Sequence, residues 1–329
     1  MIASCQRGVV ILGVGSYAPE RVMSNDEIAT LVDTSDDWIS QRTGIRERRL
    51  AADDEGTALL GARAARAAVE NAGVDPAEID MIVAATASPD YYFPATASLI
   101  GTDIGAGKAA GYDLSAACTG FIYALAQGYA QIASGMADTV LVVGAEVFSR
   151  LLDWSDRSTC ILFGDGAGAV VLGRDGTTTG MLGFDLGADG KGAGLLSVPA
   201  AGNAPSKGEA PYVQMNGPEV YKFATHVVVE SAMRCLDAAG LTVEDVDLFL
   251  PHQANQRIID HAARRLGIPE DRVFGNVAQY GNTSAASIPL ALDEAYRGGD
   301  VNAGDTILMV GFGGGLAWGS CVMEWTKER

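Results

Sequence analysis

Apolar positions along this chain fall into two alternating rhythms. The run Val9 to Val14 is continuously apolar and predicts a first strand, bounded by Gly15 and Pro19. From Ala62 to Asn71 the pattern turns helical, stops at Gly73, and gives way to the strand-like run Ile79-Asp80-Met81-Ile82-Val83-Ala84. The same rhythm predicts a short strand at Tyr112-Asp113-Leu114, a long apolar helix from Phe121 to Ala133, and helices from Glu219 to Ala239, Asn255 to Leu266 and Ile288 to Tyr296. Helices alternating with buried strands predict an α/β fold.

The alternation repeats itself. Ala72-Gly73-Val74 followed by Ile79-Asp80-Met81-Ile82-Val83 is echoed by Ala239-Gly240-Leu241 followed by Val246-Asp247-Leu248-Phe249-Leu250, an offset of 167 residues. Asp138-Thr139-Val140-Leu141-Val142-Val143-Gly144 and Asp305-Thr306-Ile307-Leu308-Met309-Val310-Gly311 match at that same offset. Any one helix-glycine-strand junction resembles another in α/β proteins, but two matches in one register imply duplication. The expected organisation is two similar halves, residues 1–175 and 176–329, whose strands are buried on both faces. The irregular stretch from Gly187 to Pro211 reads as a surface excursion that helps cover a site.

Composition narrows the function. The 23 Lys and Arg against 41 Asp and Glu leave a formal charge of −18, which repels a phosphate backbone and argues against nucleic-acid binding. An anionic ligand therefore requires a local basic patch. The five cysteines, Cys5, Cys118, Cys160, Cys235 and Cys321, are odd in number and widely spaced, which suits neither a disulfide framework nor zinc. No cluster has metal-ligand spacing, so no metal is expected. The first apolar run follows a single Arg7 and lacks a cleavage site, and no run approaches the roughly 20 apolar residues of a membrane span. A cytoplasmic protein without membrane insertion is expected.

Duplication makes one difference between the halves informative. Ser115-Ala116-Ala117-Cys118-Thr119-Gly120 opens the first half's long helix, and the second half has Asn282-Thr283-Ser284-Ala285-Ala286-Ser287 in that register, with Ala285 in the cysteine's place. A cysteine at a helix N-terminus is expected to have a lowered pKa and a nucleophilic thiolate, although for a lone cysteine read on its own a small buried hydrophobe is the plainer alternative. The other cysteines lie in apolar runs or near the terminus and read as small buried hydrophobes. Of three histidines, His226 and His261 sit within helical patterns. His252 follows the strand Leu248-Phe249-Leu250-Pro251, at the strand end where α/β folds place ligands. Asn282 is expected at a similar strand-to-helix junction, where a turn or capping role is the plainer reading. Gly13-Val14-Gly15 lacks the remainder of a dinucleotide fingerprint, whereas Gly311-Phe312-Gly313-Gly314-Gly315 after a strand could bring backbone N–H groups close to a ligand.

These residues resemble the β-ketoacyl-acyl carrier protein synthase III family of thiolase-like condensing enzymes. The motifs are Asp37-Trp38-Ile39 with Arg42-Thr43-Gly44-Ile45, Ser115 to Phe121, Phe163-Gly164-Asp165-Gly166-Ala167-Gly168, Pro251-His252-Gln253-Ala254-Asn255, Gly281 to Ser287, and Phe312-Gly313-Gly314-Gly315. The resemblance covers almost the whole chain and implies a duplicated five-layer αβαβα fold and a homodimer. It implies condensation of a short acyl-CoA primer with malonyl-acyl carrier protein, giving a 3-oxoacyl product, CoA and CO2, and initiating type II fatty acid synthesis without a cofactor. Cys118 is then the acyl-accepting nucleophile, the backbone N–H groups of Cys118 and Gly314 the oxyanion donors, and His252 and Asn282 the pair facing the malonyl thioester oxygen. Phe163 lies near the nucleophile and Phe93 reaches the partner subunit's acyl pocket. Trp38, Arg42, Thr43, Arg157, Ala254, Asn255 and Arg257 match the family's contacts to CoA and pantetheine, and they supply the basic patch that the net charge demands. Pro218, after Met215-Asn216-Gly217, replaces the Asn of many relatives and removes one polar contact near the pantetheine path.

A papain-like hydrolase shares the order Cys, His, Asn but not the duplication or the cysteine signature. A biosynthetic thiolase needs a second cysteine in the last glycine loop, and elongating synthases need a histidine at Asn282. A non-catalytic relative is disfavoured by the intact Cys118, His252 and Asn282. The nearest alternative is a specialised relative that primes a polyketide or other secondary pathway.

Overall fold

The repeat seen in the sequence is a repeat of packing. The computed structural model describes residues 1–5, 8–174, 176, 179–200 and 211–328, so Arg7, three positions at the expected boundary between halves and residues 201–210 of the irregular stretch lie outside the described residues. In chain order the strands are β1 (Ile2–Ser4), β2 (Val9–Tyr17), β3 (Arg21–Ser24), β4 (Glu47–Leu50), β5 (Met81–Ala85), β6 (Ala110–Leu114), β7 (Val140–Glu146), β8 (Gly166–Arg174), β9 (Met181–Ala188), β10 (Leu196–Ser197), β11 (Gln214–Met215), β12 (Leu248–Pro251), β13 (Thr306–Gly313) and β14 (Ala317–Glu324). The α-helices are α1 (Asn25–Ala29), α2 (Asp36–Thr43), α3 (Thr57–Ala72), α4 (Thr96–Ile104), α5 (Gly120–Ser134), α6 (Arg157–Cys160), α7 (Gly217–Ala239), α8 (Gln256–Leu266), α9 (Val277–Tyr280) and α10 (Ser287–Gly298). One expectation is corrected at once: the strand over Val9 is the second, because Ile2–Ser4 pairs antiparallel with β9 at the edge of the other half's sheet.

Two five-stranded mixed sheets, ordered β2-β8-β7-β5-β6 and β1-β9-β14-β13-β12, form the frame. Both halves use one register. β5 pairs parallel with β7 through Met81 and Val140, and β12 pairs parallel with β13 through Leu248 and Ile307, each residue 167 positions on from its counterpart. The helices before these strands end alike, in left-handed caps at Gly73 and Gly240, conformations that glycine adopts without a Cβ penalty.

Alternation along each strand sends side chains to two different cores. In β5 and β7, Ile82, Leu141 and Val143 pack outward against Leu60, Ala64 and Ala68 of α3 and Ile100 of α4. Val83, Val140 and Val142 face inward, onto Phe121 and Leu125 of α5 and Ile288 and Leu292 of α10, which meet Leu248, Leu250, Ile307 and Met309 of the second sheet on their other side. Phe249, Leu308 and Val310 face outward again, under α7 and α8. The result is the expected five-layer αβαβα stack, with α5 and α10 buried between the sheets. Gly13 and Gly15 serve this packing: a Cβ on either would stand within 2.4 Å of the α3 backbone at Ala68 or Ala72. Fully buried apolar side chains of the size of Phe121 or Leu125 each stabilise the central layer by roughly 1.5–3 kcal/mol.

Candidate active site

The turns that open α5 and α10 meet at the centre of the molecule. Each is a 3-10 turn, Ala117–Thr119 and Ser284–Ala286, and each begins with a non-glycine residue in the left-handed region, Ala117 at φ 45° and Ser284 at φ 49°. Such a conformation costs of order 1 kcal/mol and persists where the surroundings over-determine it. The turn presents Cys118 at the mouth of α5, two residues before the helix proper, with 5% of its surface exposed. The chain passes it closely: a Cβ on Gly313, at the end of β13, would lie 2.9 Å from the Cβ and N of Cys118. Only a glycine fits there.

His252 follows β12 and is buried, its Nδ1 2.5 Å from the Oγ of Ser287. Its Nε2 is buried without a hydrogen-bond partner. A Ser287 hydroxyl donating to Nδ1 makes Nε2 the N–H of the ring, an orphan donor that only a bound group can satisfy. Burial pushes the imidazole down to about 3, so the ring is neutral near neutrality. Asn282 is placed differently from expectation. It follows the short helix α9 rather than a strand, and an isolated parallel bridge to Phe163 takes the strand's place. Its Oδ1 accepts from the backbone N of Ser284 at 2.8 Å, which orients the side-chain amide and turns its N–H groups outward from that turn.

A cavity of 210 Å³ joins these groups, lined by Cys118, His252, Asn282, Phe163, Phe312 and Gly313 at one end and by Trp38, Arg42, Thr43, Ala254, Asn255 and Tyr221 at the other. At the outer end Trp38 carries guanidinium groups over its ring, Arg42 at 4.5 Å and Arg157 at 4.8 Å, while Arg257 stacks at 5.6 Å on Tyr221. Thr43 and Asn255 are engaged in the fold itself: Thr43 Oγ1 donates to the Ile39 carbonyl, and Asn255 caps α8 and donates to the Arg42 carbonyl. Arg42, Arg157 and Arg257 thus gather three guanidinium groups around the outer end of this cavity. A second cavity, of 460 Å³, opens from the other side of Cys118 and is apolar, lined by Ala87, Ala116, Phe148, Phe163, Leu196, Val213 and Gly314. Phe148 and Phe163 stack at 4.8 Å to form one wall. Leu196 and Val198 belong to the irregular stretch and Val213 follows it by two residues, so the described part of that stretch helps line the cavity beside Cys118. Phe93 lies elsewhere: it is 85% exposed, beside Tyr91 and Tyr92 on a neighbouring 720 Å³ hollow.

The thiol departs from the sequence expectation. Burial pushes Cys118 up to about 12 rather than down, and the charge of Glu146 adds to that, against a lowering by Ser284. Loss of water outweighs the N-terminus of one helix. Glu146, fully buried at the end of β7, was invisible to sequence reasoning because it closes an ordinary apolar strand. Ser287 was missed because its only signal is its helix-start position. Cys160, Cys235 and Cys321 are buried thiols with raised pKa values, as their apolar surroundings suggested. His226 is exposed and bonds only locally, within reach of the Lys222 carbonyl. Among the described residues no group of three His, Cys, Asp or Glu could hold a metal, and no helix is long and apolar enough to cross a membrane.

Comparison with known proteins gives a consistent result. Residues 112–190 match the family model described as 3-oxoacyl-[acyl-carrier-protein (ACP)] synthase III, and residues 236–325 match that of its C-terminal portion. The chain is 50% identical over 326 residues to the β-ketoacyl-[acyl-carrier-protein] synthase III of Desulfitobacterium hafniense, covering 97% of this chain and 98% of the relative. Against the protein of that name from Clostridium acetobutylicum it is 50% identical over 329 residues, covering 97% and 99%. Among solved structures, the 3-oxoacyl-[acyl-carrier-protein] synthase III of Aquifex aeolicus superposes with a TM-score of 0.92 at 45% identity, over 97% of this chain and all of that one. The priming β-ketosynthase of the R1128 polyketide biosynthetic pathway superposes with a TM-score of 0.94 at 41% identity, over 99% of each chain.

Proposed function

The chain belongs to the 3-oxoacyl-[acyl-carrier-protein] synthase III family, and from that premise we propose that it condenses an acyl-CoA primer with a malonyl-acyl carrier protein through an acyl group carried on Cys118. The observation that carries the reading is the position of Cys118 at the junction of two cavities. One is a narrow passage with cations at its mouth, and the other is an apolar pocket.

In the first step Cys118 Sγ attacks the acyl-CoA carbonyl, with the acyl tail in the 460 Å³ pocket and the pantetheine in the passage past Trp38 and Arg42. The tetrahedral oxyanion is held by the N–H groups of Cys118 and Gly314. A thiol held near 12 reacts with its proton still in place, so the proton moves from Cys118 to the departing CoA sulfur as one S–C bond forms and the other breaks. In the second step the malonyl carboxylate leaves as CO2, and its electron pair enters an enolate whose oxygen is met by His252 Nε2–H and the Asn282 amide. Each donor, fixed in a dry site, stabilises that charge by about 3 kcal/mol. The enolate carbon attacks the acyl-Cys118 carbonyl, and the thiolate is expelled and reprotonated as the 3-oxoacyl product departs. A neutral imidazole serves this step, since a cation would donate equally well but require a charge in a dry pocket. Neither step calls for a cofactor.

The halves divide this work. Residues 1–175 supply the nucleophile and 176–329 the two enolate donors, so neither half is expected to act alone. The exposed loop Tyr91-Tyr92-Phe93 suits an interface between two copies, with Phe93 entering the partner's acyl pocket. The likeness to a polyketide priming synthase favours one second reading, in which the primer is delivered to a secondary pathway. Mass spectrometry of Cys118 after exposure to a range of acyl-CoAs, followed by malonyl-loaded carrier proteins of both kinds, tests both readings. An adduct on Cys118 that the malonyl carrier discharges is the expected result, and no adduct from any acyl donor overturns it.

A further inference from the structure

Duplication relates Glu146 to Gly313, both the last turnward residues of equivalent strands and 167 positions apart. Gly313 lies against Cys118, where substrate enters. By the same operation Glu146 lies against Ala285, the residue that replaces the cysteine. Gly144 completes the correspondence, since a Cβ there would stand 2.3 Å from the Ala285 carbonyl. The second half thus retains the shape of the turn that carries Cys118, with the Glu146 carboxyl packed against it.

That carboxylate is heavily supplied with donors. Ser88 Oγ donates at 2.6 Å, the Ala87 backbone N at 3.1 and 3.2 Å, and Thr86 Oγ1 at 3.3 Å. Burial pushes Glu146 up to about 7, and these donors, with the Ser284 hydroxyl and the Ala285 backbone N–H, work against that rise. Ala285 N–H is the counterpart of the Cys118 N–H, the oxyanion donor of the reaction proposed above. Two walls of the active site hang on this one group: Ala87 lines the apolar pocket, and the turn at Ser284 fixes Asn282 through its backbone N.

We propose that Glu146 is a positioning residue, a buried carboxyl packed against the second half's counterpart of the Cys118 turn, that holds Ala87 and the Asn282 turn in place around Cys118. The inference rests on the condensing reading, and its test separates the two. Cys118 and His252 are the titratable groups of the neighbouring centre, and neither is a cation there, so above pH 7, where Glu146 carries its charge, that charge acts on Cys118 without a counterion.

The experiment combines Glu146→Gln and Glu146→Gly with alkylation of Cys118 by iodoacetamide across pH, condensation kinetics, and circular dichroism to establish folding. Removing a like charge from a buried neighbour should move the midpoint of Cys118 alkylation in Glu146→Gln down by about one pH unit. Condensation should slow at least about tenfold with little change in the KM for acyl-CoA, as for lost orientation rather than lost binding. In Glu146→Gly, which copies the second half's own solution at position 313, added formate should restore part of the condensation rate, whereas chloride of equal ionic strength should not. Superimposable alkylation profiles for wild type and Glu146→Gln overturn the proposal, as does a folded Glu146→Gly that condenses normally or ignores formate. If Glu146→Gly does not fold, the Glu146→Gln profile decides alone. Alkylation needs no acyl substrate, so a wild type that never acylates would sink the condensing reading while leaving this one to be judged.

Discussion

Acidification should act on two buried groups of the active centre in opposite directions. His252 is held at about 3 against an ordinary 6.5 because it is buried. Below pH 6.5 the unfolded chain takes up a proton that the folded ring refuses, so stability present above 6.5 is lost as the pH falls toward 3, amounting to about 5 kcal/mol in full. Glu146 is held at about 7 against 4.5 by burial. Here the fold binds the proton more tightly than the unfolded chain, so its stabilisation is complete below 4.5 and is lost as the pH rises through 7, about 3 kcal/mol in all. Between 6.5 and 4.5 the two slopes, each about 1.4 kcal/mol per pH unit, cancel. The perturbations are His252→Gln and Glu146→Gln, each compared with the wild type by urea unfolding followed through tryptophan fluorescence at several pH values. The difference from wild type removes the contribution of the other carboxylates. As the pH falls from 6.5 to 4.5, His252→Gln should gain about 3 kcal/mol relative to wild type, and Glu146→Gln should lose about as much between 7 and 4.5. Differences that stay flat with pH, or that share a sign, would falsify the burial argument for both groups.

Three further outcomes are expected. Cys118→Ala should form no acyl adduct by intact mass spectrometry yet still release CO2 from malonyl carrier protein, since His252 and Asn282 remain. Asn282→Ala should acylate at the wild-type rate and condense 10²–10³-fold more slowly, the cost of one fixed enolate donor, in single-turnover assays that separate the steps. Trp38→Ala should raise the KM for acyl-CoA several-fold while leaving the decarboxylation of malonyl carrier protein near normal, because Trp38 and the two guanidinium groups over it stand at the outer end of the passage, away from the reacting atoms.

Much of the molecule could be read along the chain because it is written there twice. The match of Gly73 with Gly240 and of Val140 with Ile307 revealed a register that the paired strands reproduce, and strand alternation then dictated which side chains meet α5 and α10 between the sheets. The contrast of Cys118 with Ala285 marked the reactive half, because a duplicated turn that keeps its small neighbours and changes one residue isolates that residue. These are local patterns, set by backbone periodicity and by what a turn tolerates.

Tertiary structure decided what depends on distance and on water. It brought His252 and Asn282 to Cys118 and left Phe93 on the surface. It put Asn282 after a short helix, where the sequence suggested a strand, since one bridge to Phe163 supplied the strand's hydrogen bonds. It also reversed the expected direction for the thiol: the opening turn of α5 is local and legible, whereas the loss of solvent around Cys118 comes from β13, the Ser284 turn and Leu196, all distant in the chain. Glu146 shows the same division. The strand that leads to it is plain from the sequence, but the meaning of Glu146 comes from the turn of the other half folding against it.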